Sequence, residues 1–474
     1  MTSATQQQPN SGNRAGLIKN ILFLLLLFVA TNMQAQLPWL KVSDNKRFFQ
    51  TEKGAPFFWL GDTGWLLFVK TSREDAVHYL DTRKSQGFNM IQVMVIHDVK
   101  NINVYGDTAL INQDLSKPNV TPGNDFNNKA EYDFWDHIEF IIEQAAKRGL
   151  YMGLVPLWGS NVKDGKVSPE QAKIYAQFLT DRFSKYSNIV WLNGGDIRGT
   201  EGYDVWQVIG NTIKQNDPKH LMTFHPRGRY SSSDWFHNEP WLDFNMFQSG
   251  HRTYAQDTSK TDKHFFGEDN WRFSKMDYAL KPAKPTLDGE PSYENIPYGL
   301  HDYSAPRWKA ADLRRYAYWS VFAGGAGFTY GENSVMQFHK IGDEDGNYDV
   351  KQNWKIAVNA VGATQMKHLK KLMLERSYFD RVPAQEIIAD NTQKRYNYIV
   401  ATKGARYAMA YTYTGRNFKV NASNLGFKIK TVEWLNPSTG KKIKADYQAS
   451  KNILSFNPPG EPANCNDWVL ILEK

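Results

Sequence analysis

Trp191-Leu192-Asn193-Gly194-Gly195-Asp196 and Thr286-Leu287-Asp288-Gly289-Glu290-Pro291 are the two stretches that decide the fold of this chain. Each is a short apolar run, bounded by Gly or Pro, that ends on a carboxylate. Runs of this kind suit strands buried on both faces, as in a parallel sheet. Asp196 and Glu290 are 94 residues apart, close to three βα units at roughly 30 residues each. That spacing places them at the ends of the fourth and seventh strands of a (β/α)₈ barrel. In such a barrel the catalytic groups gather at the C-terminal ends of the strands.

The rest of the chain fits the same frame. Apolar runs predict strands over 57–62, 88–96, 150–157, 188–193, 220–224, 244–248, 285–289 and 326–330. Helical periodicity predicts helices over 73–86, 131–148, 168–186, 202–215, 261–280 and 307–322, several opened by Ser or Thr and stopped by Gly. A polar insertion over 99–129 is long enough to expect a functional or mobile loop. Beyond residue 375 the pattern becomes short alternating runs, such as 396–401, 407–412, 431–435 and 467–472. Turn clusters separate them, which predicts a β-sandwich. The organisation read from sequence is therefore a leader over 1–35, a barrel over 36–375 and a sandwich over 376–474.

At 474 residues the chain is long enough for a barrel plus a small second domain. Aromatic residues make up 14%, including 15 Trp, enough to serve both a core and a sugar-stacking cleft. The formal charge of +8 is spread along the chain without a basic stripe, which argues against nucleic acid as a partner. Arg14 and Lys19 precede an apolar stretch over 21–30, and Ala35 is small enough to precede a cleavage point. The stretch is too short to span a bilayer comfortably, so it reads as a signal peptide, with an uncleaved anchor as the alternative. Cleavage would leave a bacterial periplasmic or extracellular protein with no membrane association. The single Cys465 excludes an internal disulfide. Nothing in the sequence decides the oligomeric state.

The strand ends collect Asp62, His97, Asp98, Trp158, Asn193, Asp196, His225, Arg227, Gln248, His251, Glu290, Tyr330 and Glu332. So many polar groups at one rim imply a site. Glu290 is the candidate nucleophile, with Arg227, His251 or Tyr293 as neighbours able to hold it. Asp196 is the candidate general acid/base, needing a raised pKa that a Trp-rich wall would supply. Two such carboxylates are the minimum equipment for cutting a glycosidic bond. The alternative for each is a structural carboxylate capping the next helix. Glu294 is a rival to Glu290. Asp62, Trp65, His97, Trp158, Asn193, His225, Arg227, Gln248, His251, Tyr293 and Tyr330 are the candidate sugar contacts, and Asp62 has helix capping as an equal alternative. Histidines placed singly at separate strand ends are not a metal motif, so no metal and no cofactor are expected. A non-catalytic carbohydrate- or matrix-binding protein on the same scaffold is the competing function.

Phe57–Phe68 (F-F-W-L-G-D-T-G-W-L-L-F), W-L-N-G-G-D (191–196), H-P-R-G (225–228), Q-S-G-H (248–251), D-G-E-P-S-Y-E (288–294) and G-G-A-G-F-T-Y-G (324–331) together resemble the apiosidase-like family, whose characterised members form glycoside hydrolase family 140. The likeness covers about residues 38–375. W-L-N-P-S-T-G (434–440) and D-W-V-L-I-L (467–472) resemble the small attached domain labelled as collagen-binding. The resemblance implies a retaining barrel hydrolase of clan A, with Asp196 as acid/base and Glu290 as nucleophile. Many clan A barrels carry Asn-Glu at the fourth strand, where this chain has Gly-Gly-Asp. It also implies pectic side chains, including apiose linkages of rhamnogalacturonan II, as substrates.

Overall fold

The computed structural model describes residues 1–6, 36–258, 263–390 and 394–474. The basic start, the apolar stretch and the cleavage point of the expected signal peptide lie outside the described residues. Among the described residues no helix is long and apolar enough to cross a membrane.

The eight barrel strands are Trp59–Thr63, Met90–Ile96, Tyr151–Leu157, Ile189–Ile197, Met222–Pro226, Asn245–Gln248, Thr286–Asp288 and Gly327–Tyr330. Parallel ladders join the first through the fifth, the sixth through the eighth, and the eighth back to the first. The seam between the fifth and sixth is bridged by hydrogen bonds. The Asp243 N–H donates to the Met222 carbonyl (2.8 Å) and the Thr223 hydroxyl to the Phe244 carbonyl (2.6 Å). The strands are buried on both faces because one face fills the barrel and the other meets the helices.

An antiparallel sheet of Leu40–Val42, Phe49–Thr51 and Pro56–Phe57 precedes the barrel. Phe49 meets Phe244 edge-on at 4.9 Å and lies 6.0 Å from Trp59, both at strand beginnings. These rings plug the N-terminal mouth and leave the opposite one open.

Local chemistry starts the helices where the sequence suggested. Ser72 caps Arg73–Ser85, while Asp133 and Ser168 form capping boxes for Phe134–Lys147 and Pro169–Phe183. The predicted helix over 261–280 is shorter, Trp271–Ala279. Residues 263–270 of the expected span form turns and irregular backbone, and the Gly267 N–H is drawn to the Asp257 carboxylate (2.7 Å). The 99–129 insertion departs from expectation more. No residue of it lines the cleft described below. Leu110 and Leu115 enter the barrel core, and the Trp135 indole donates to the Ala109 carbonyl (3.1 Å). Apolar burial thus ties the loop down against the outer helices.

The C-terminal region forms a six-stranded and a three-stranded antiparallel sheet around a core that includes Trp434, Phe418 and Leu470. One expected strand, 396–401, is displaced. Arg395–Asn397 form a 3₁₀ turn and the strand is Val400–Gly404. The region is fastened to the barrel helix Ala310–Phe322. Arg314 forks onto Asp467 (2.8 and 2.7 Å), and Tyr318 stacks on Tyr411 at 4.8 Å.

Candidate active site

The open mouth holds a cleft of about 540 Å³ lined by both Asp196 and Glu290. Asp196 gets there through an unusual piece of backbone. The fourth strand loses register between Gly194 and Ile197. Gly194, Gly195 and Asp196 all have positive φ, at 85°, 122° and 47°. Glycine is needed at the first two: a Cβ at Gly194 would lie 2.6 Å from the Phe224 ring, and one at Gly195 2.5 Å from Trp158. Asp tolerates the left-handed turn that follows. The result is that Asp196 alone is exposed in an otherwise buried strand. It caps no helix. The following helix, Tyr203–Asn216, starts at Gly202.

Glu290 lies at the seventh-strand exit and is almost fully buried. Two imidazoles hold it. His251 Nε2 is 3.1 Å from Oε1, and His225 Nε2 is 3.3 Å from Oε2 in a less well aligned approach. The Asp196 N–H points at His225 Nδ1 at 3.5 Å. His225 therefore links the two carboxylate segments. Behind His251, the buried Asp288 accepts from the Ser249 hydroxyl (2.6 Å), the Ser249 N–H (3.3 Å) and Asn270 (2.9 Å). This pins the Ser249-Gly250-His251 turn beside the seventh strand. Sequence reasoning missed Asp288, although it lies two residues before Glu290.

The two carboxylates are displaced in opposite directions. Surrounding protein and the nearby Glu290 charge push Asp196 up to about 6, against the pull of His225, Arg227 and His251. Asp196 keeps contact with cleft water, so the like charge is a firmer cause than burial. Burial would raise Glu290 too, but hydrogen bonds and attraction from His225 and His251 outweigh it and hold the carboxyl below its ordinary value. One group is suited to carry a proton and the other to stay ionised, which is the division of labour glycoside cleavage requires.

Trp65, His97, Trp158, Arg227, Gln248, His251 and Tyr293 line the same cleft. Trp65 and Trp158 lie 5.3 Å apart, and the Trp65 indole donates to the Tyr293 hydroxyl (3.1 Å). The Gln248 Oε1 is buried without a hydrogen-bond partner among the described residues, leaving an acceptor for a ligand.

Four expected sugar contacts do not reach the cleft. Asp62 is fully buried, accepting from Arg83 (2.6 Å) and Tyr79 (2.5 Å), so it neither meets a sugar nor caps a helix. Asn193 tethers the strand to the Trp206 carbonyl (2.8 Å). Tyr330 donates to Glu294 (2.6 Å), which also accepts from the Gly362 N–H (2.9 Å), so the rival carboxylate is a structural one. His225 is buried against Trp65 and Trp158 and faces Glu290. Of the remaining strand-end carboxylates, Asp98 pairs with Lys166 (3.1 Å) and Glu332 caps Asn333–Met336. Arg252, His301, Gln337 and Tyr348 line the cleft unforeseen, because they come from loops without periodic signals. No group of three or more His, Cys, Asp or Glu among the described residues has the arrangement to hold a metal.

Comparison with known proteins finds relatives for both parts of the chain. The apiosidase-like catalytic domain matches residues 43–380, and the putative collagen-binding domain of a collagenase matches residues 382–473. A solved structure described as a glycoside hydrolase is 44% identical, with a TM-score of 0.86 over 92% of this chain and 97% of that one. A glycoside hydrolase family 5 structure from Bacteroides vulgatus ATCC 8482 is 41% identical, with a TM-score of 0.86 over 92% and 93%. None of the curated proteins matches the chain. With a catalytic-domain match over most of its length and two close glycoside hydrolase structures, this chain belongs to the apiosidase-like family of glycoside hydrolases.

Proposed function

We propose that this glycoside hydrolase works by a retaining mechanism, with Glu290 as nucleophile and Asp196 as acid/base, on acidic plant pectic side chains such as the apiose linkages of rhamnogalacturonan II. The opposite displacement of the two carboxyls in one cleft carries the reading. Protonated Asp196 gives its proton to the glycosidic oxygen while ionised Glu290 attacks the anomeric carbon. The leaving alcohol departs and a glycosyl ester remains. Asp196, now a carboxylate, takes a proton from water, whose oxygen attacks the same carbon and frees Glu290. Each transfer inverts the centre, so the two together retain it.

Charge in the cleft supports an acidic polymer. Arg227 and Arg252 line it with no carboxylate partner among the described residues, beside Arg229, which pairs with Asp257 at 3.1 Å. Unpaired guanidiniums suit uronate groups. The apolar stretch over 21–30 and its basic start support export to the periplasm or exterior, where such polymers are met.

The test is product release from plant polysaccharides, including rhamnogalacturonan II fragments, by wild type and Glu290→Gln, with proton NMR of the first-formed anomer. Release of a sugar in the retained configuration, lost in Glu290→Gln, is expected. Inverted product would refute the retaining step, and an active Glu290→Gln would refute the nucleophile.

A further inference from the structure

The segment that follows the last barrel strand carries two left-handed residues in succession. Tyr348 and Asp349 have φ of 57° and 48°. Asp tolerates such a backbone, but a tyrosine persists in it only where surrounding contacts impose it, at a cost of about 1–3 kcal/mol. Here the contacts are explicit. Arg307 donates to the Asp349 carbonyl (2.9 Å), to its carboxylate (2.5 Å) and to the Asn295 carbonyl (2.6 Å). Asn333 donates to the Tyr348 carbonyl (3.0 Å). The Gln337 amide brackets Asn347, accepting its N–H (2.8 Å) and donating to its carbonyl (3.1 Å).

This clamp does not serve to bury the tyrosine. Tyr348 is half-buried and lines the cleft. Its ring lies 5.7 Å from that of His301, and no described residue hydrogen-bonds its hydroxyl. A tyrosine kept for packing buries its ring and satisfies its hydroxyl. This one lines the cleft half-buried, and its hydroxyl has no protein partner among the described residues. Its phenol is pushed up to about 12 by desolvation and by the charges of Asp196 and Glu290, so it stays protonated and able to donate.

We infer that Tyr348 is a substrate-contacting residue, its hydroxyl donating to an oxygen of the glycan held between Asp196 and Glu290, and that Arg307 is the positioning residue that keeps it there. The inference deepens the proposed function and rests on it for where the sugar lies. It makes the 337–349 strap a determinant of which sugar is accepted at the point of cleavage.

The test compares wild type, Tyr348→Phe, Arg307→Ala, the double variant and Glu290→Gln on the glycoside that the wild type cleaves best in a panel of pectic oligosaccharides and aryl pentosides and hexosides. Tyr348→Phe removes one hydroxyl with no protein partner, so its melting temperature should equal that of wild type. Its kcat/KM should fall about tenfold, the worth of one hydrogen bond. Arg307→Ala should lose at least as much, and the double variant should fall no further than Arg307→Ala, because Arg307 acts through Tyr348. A Tyr348→Phe variant within twofold of wild type overturns the inference. Additive losses overturn the role of Arg307. If Glu290→Gln stays active, the catalytic reading falls instead, whatever Tyr348 does.

Discussion

Gly195→Ala tests whether the backbone turn at the fourth-strand end is what makes Asp196 useful. The added Cβ would lie 2.5 Å from Trp158 Cε3, against about 3.5–4.0 Å for relaxed carbon contact. Something must move by about 1 Å. The two things that can move are the Trp158 ring and the Gly194-Gly195-Asp196 turn, and both line or build the cleft. Misplacement by about 1 Å costs on the order of 100-fold in rate, equivalent to about 2.7 kcal/mol of barrier. The φ of 122° adds strain of about 1–3 kcal/mol for a residue with a side chain. Unfolding entropy for the roughly 340-residue barrel is about 0.7 kcal/mol/K, so that strain lowers the melting temperature by only about 1–4 °C. The expected variant is folded at the assay temperature, slightly less stable, and about 100-fold lower in kcat/KM. The measurements are steady-state kinetics on the best-cleaved glycoside and a thermal melt. A variant with activity within threefold of wild type would refute the claim that this turn sets the acid/base geometry.

Three further outcomes follow from the same structure. Asp196 must be protonated to act as acid and is raised to about 6, so its active form is lost as pH rises through about 6. Glu290 must be ionised and is held below its ordinary range, so its active form persists well into acid. The kcat/KM profile should therefore be a bell with its alkaline limb near pH 6, and a plateau extending past about pH 8 contradicts the assignment. Asp62→Asn removes one partner of a fully buried ion pair, a loss of about 3–5 kcal/mol that lowers the melting temperature by about 4–7 °C. Its kcat/KM should stay within twofold, whereas a tenfold loss at unchanged stability would return Asp62 to the sugar. Deleting 376–474 strips Arg314 of Asp467 and Tyr318 of its stack on Tyr411. The barrel alone should be insoluble in a soluble-yield assay, and a soluble, active barrel would mark the domain as a dispensable module.

Much of this was legible in the chain. Apolar runs punctuated by Gly and Pro located eight strands, and counting them distinguished a closed barrel from an open sheet. Ser72, Asp133 and Ser168 started helices for reasons contained within four residues. Asp196 and Glu290 could be singled out because they end buried runs at the right spacing. The anchoring of the 99–129 insertion and the late start of the helix at Trp271 are not legible in the sequence, because polar composition does not reveal a few anchoring side chains, such as Leu110 and Leu115, or a carboxylate such as Asp257 that holds the Gly267 N–H in a turn.

The side-chain roles at the rim belong to the tertiary structure. Asp62 and Asp196 both end strands, yet one meets Arg83 and Tyr79 in the core and the other opens onto the cleft. His225 and His251 look alike in sequence, and only packing puts the first against two indoles and leaves the second at the cleft wall. Tyr348 carries no local signal at all, since its clamp is assembled from Arg307, Asn333 and Gln337. The sequence by itself carried the fold class, because periodicity, punctuation and capping act over a few residues, and its motifs carried the family; it also nominated Asp196 and Glu290 as a pair. Which strand-end groups face the cleft, and with what charge, was decided only in three dimensions. Burial, partner and like-charge repulsion all depend on residues far apart in the chain.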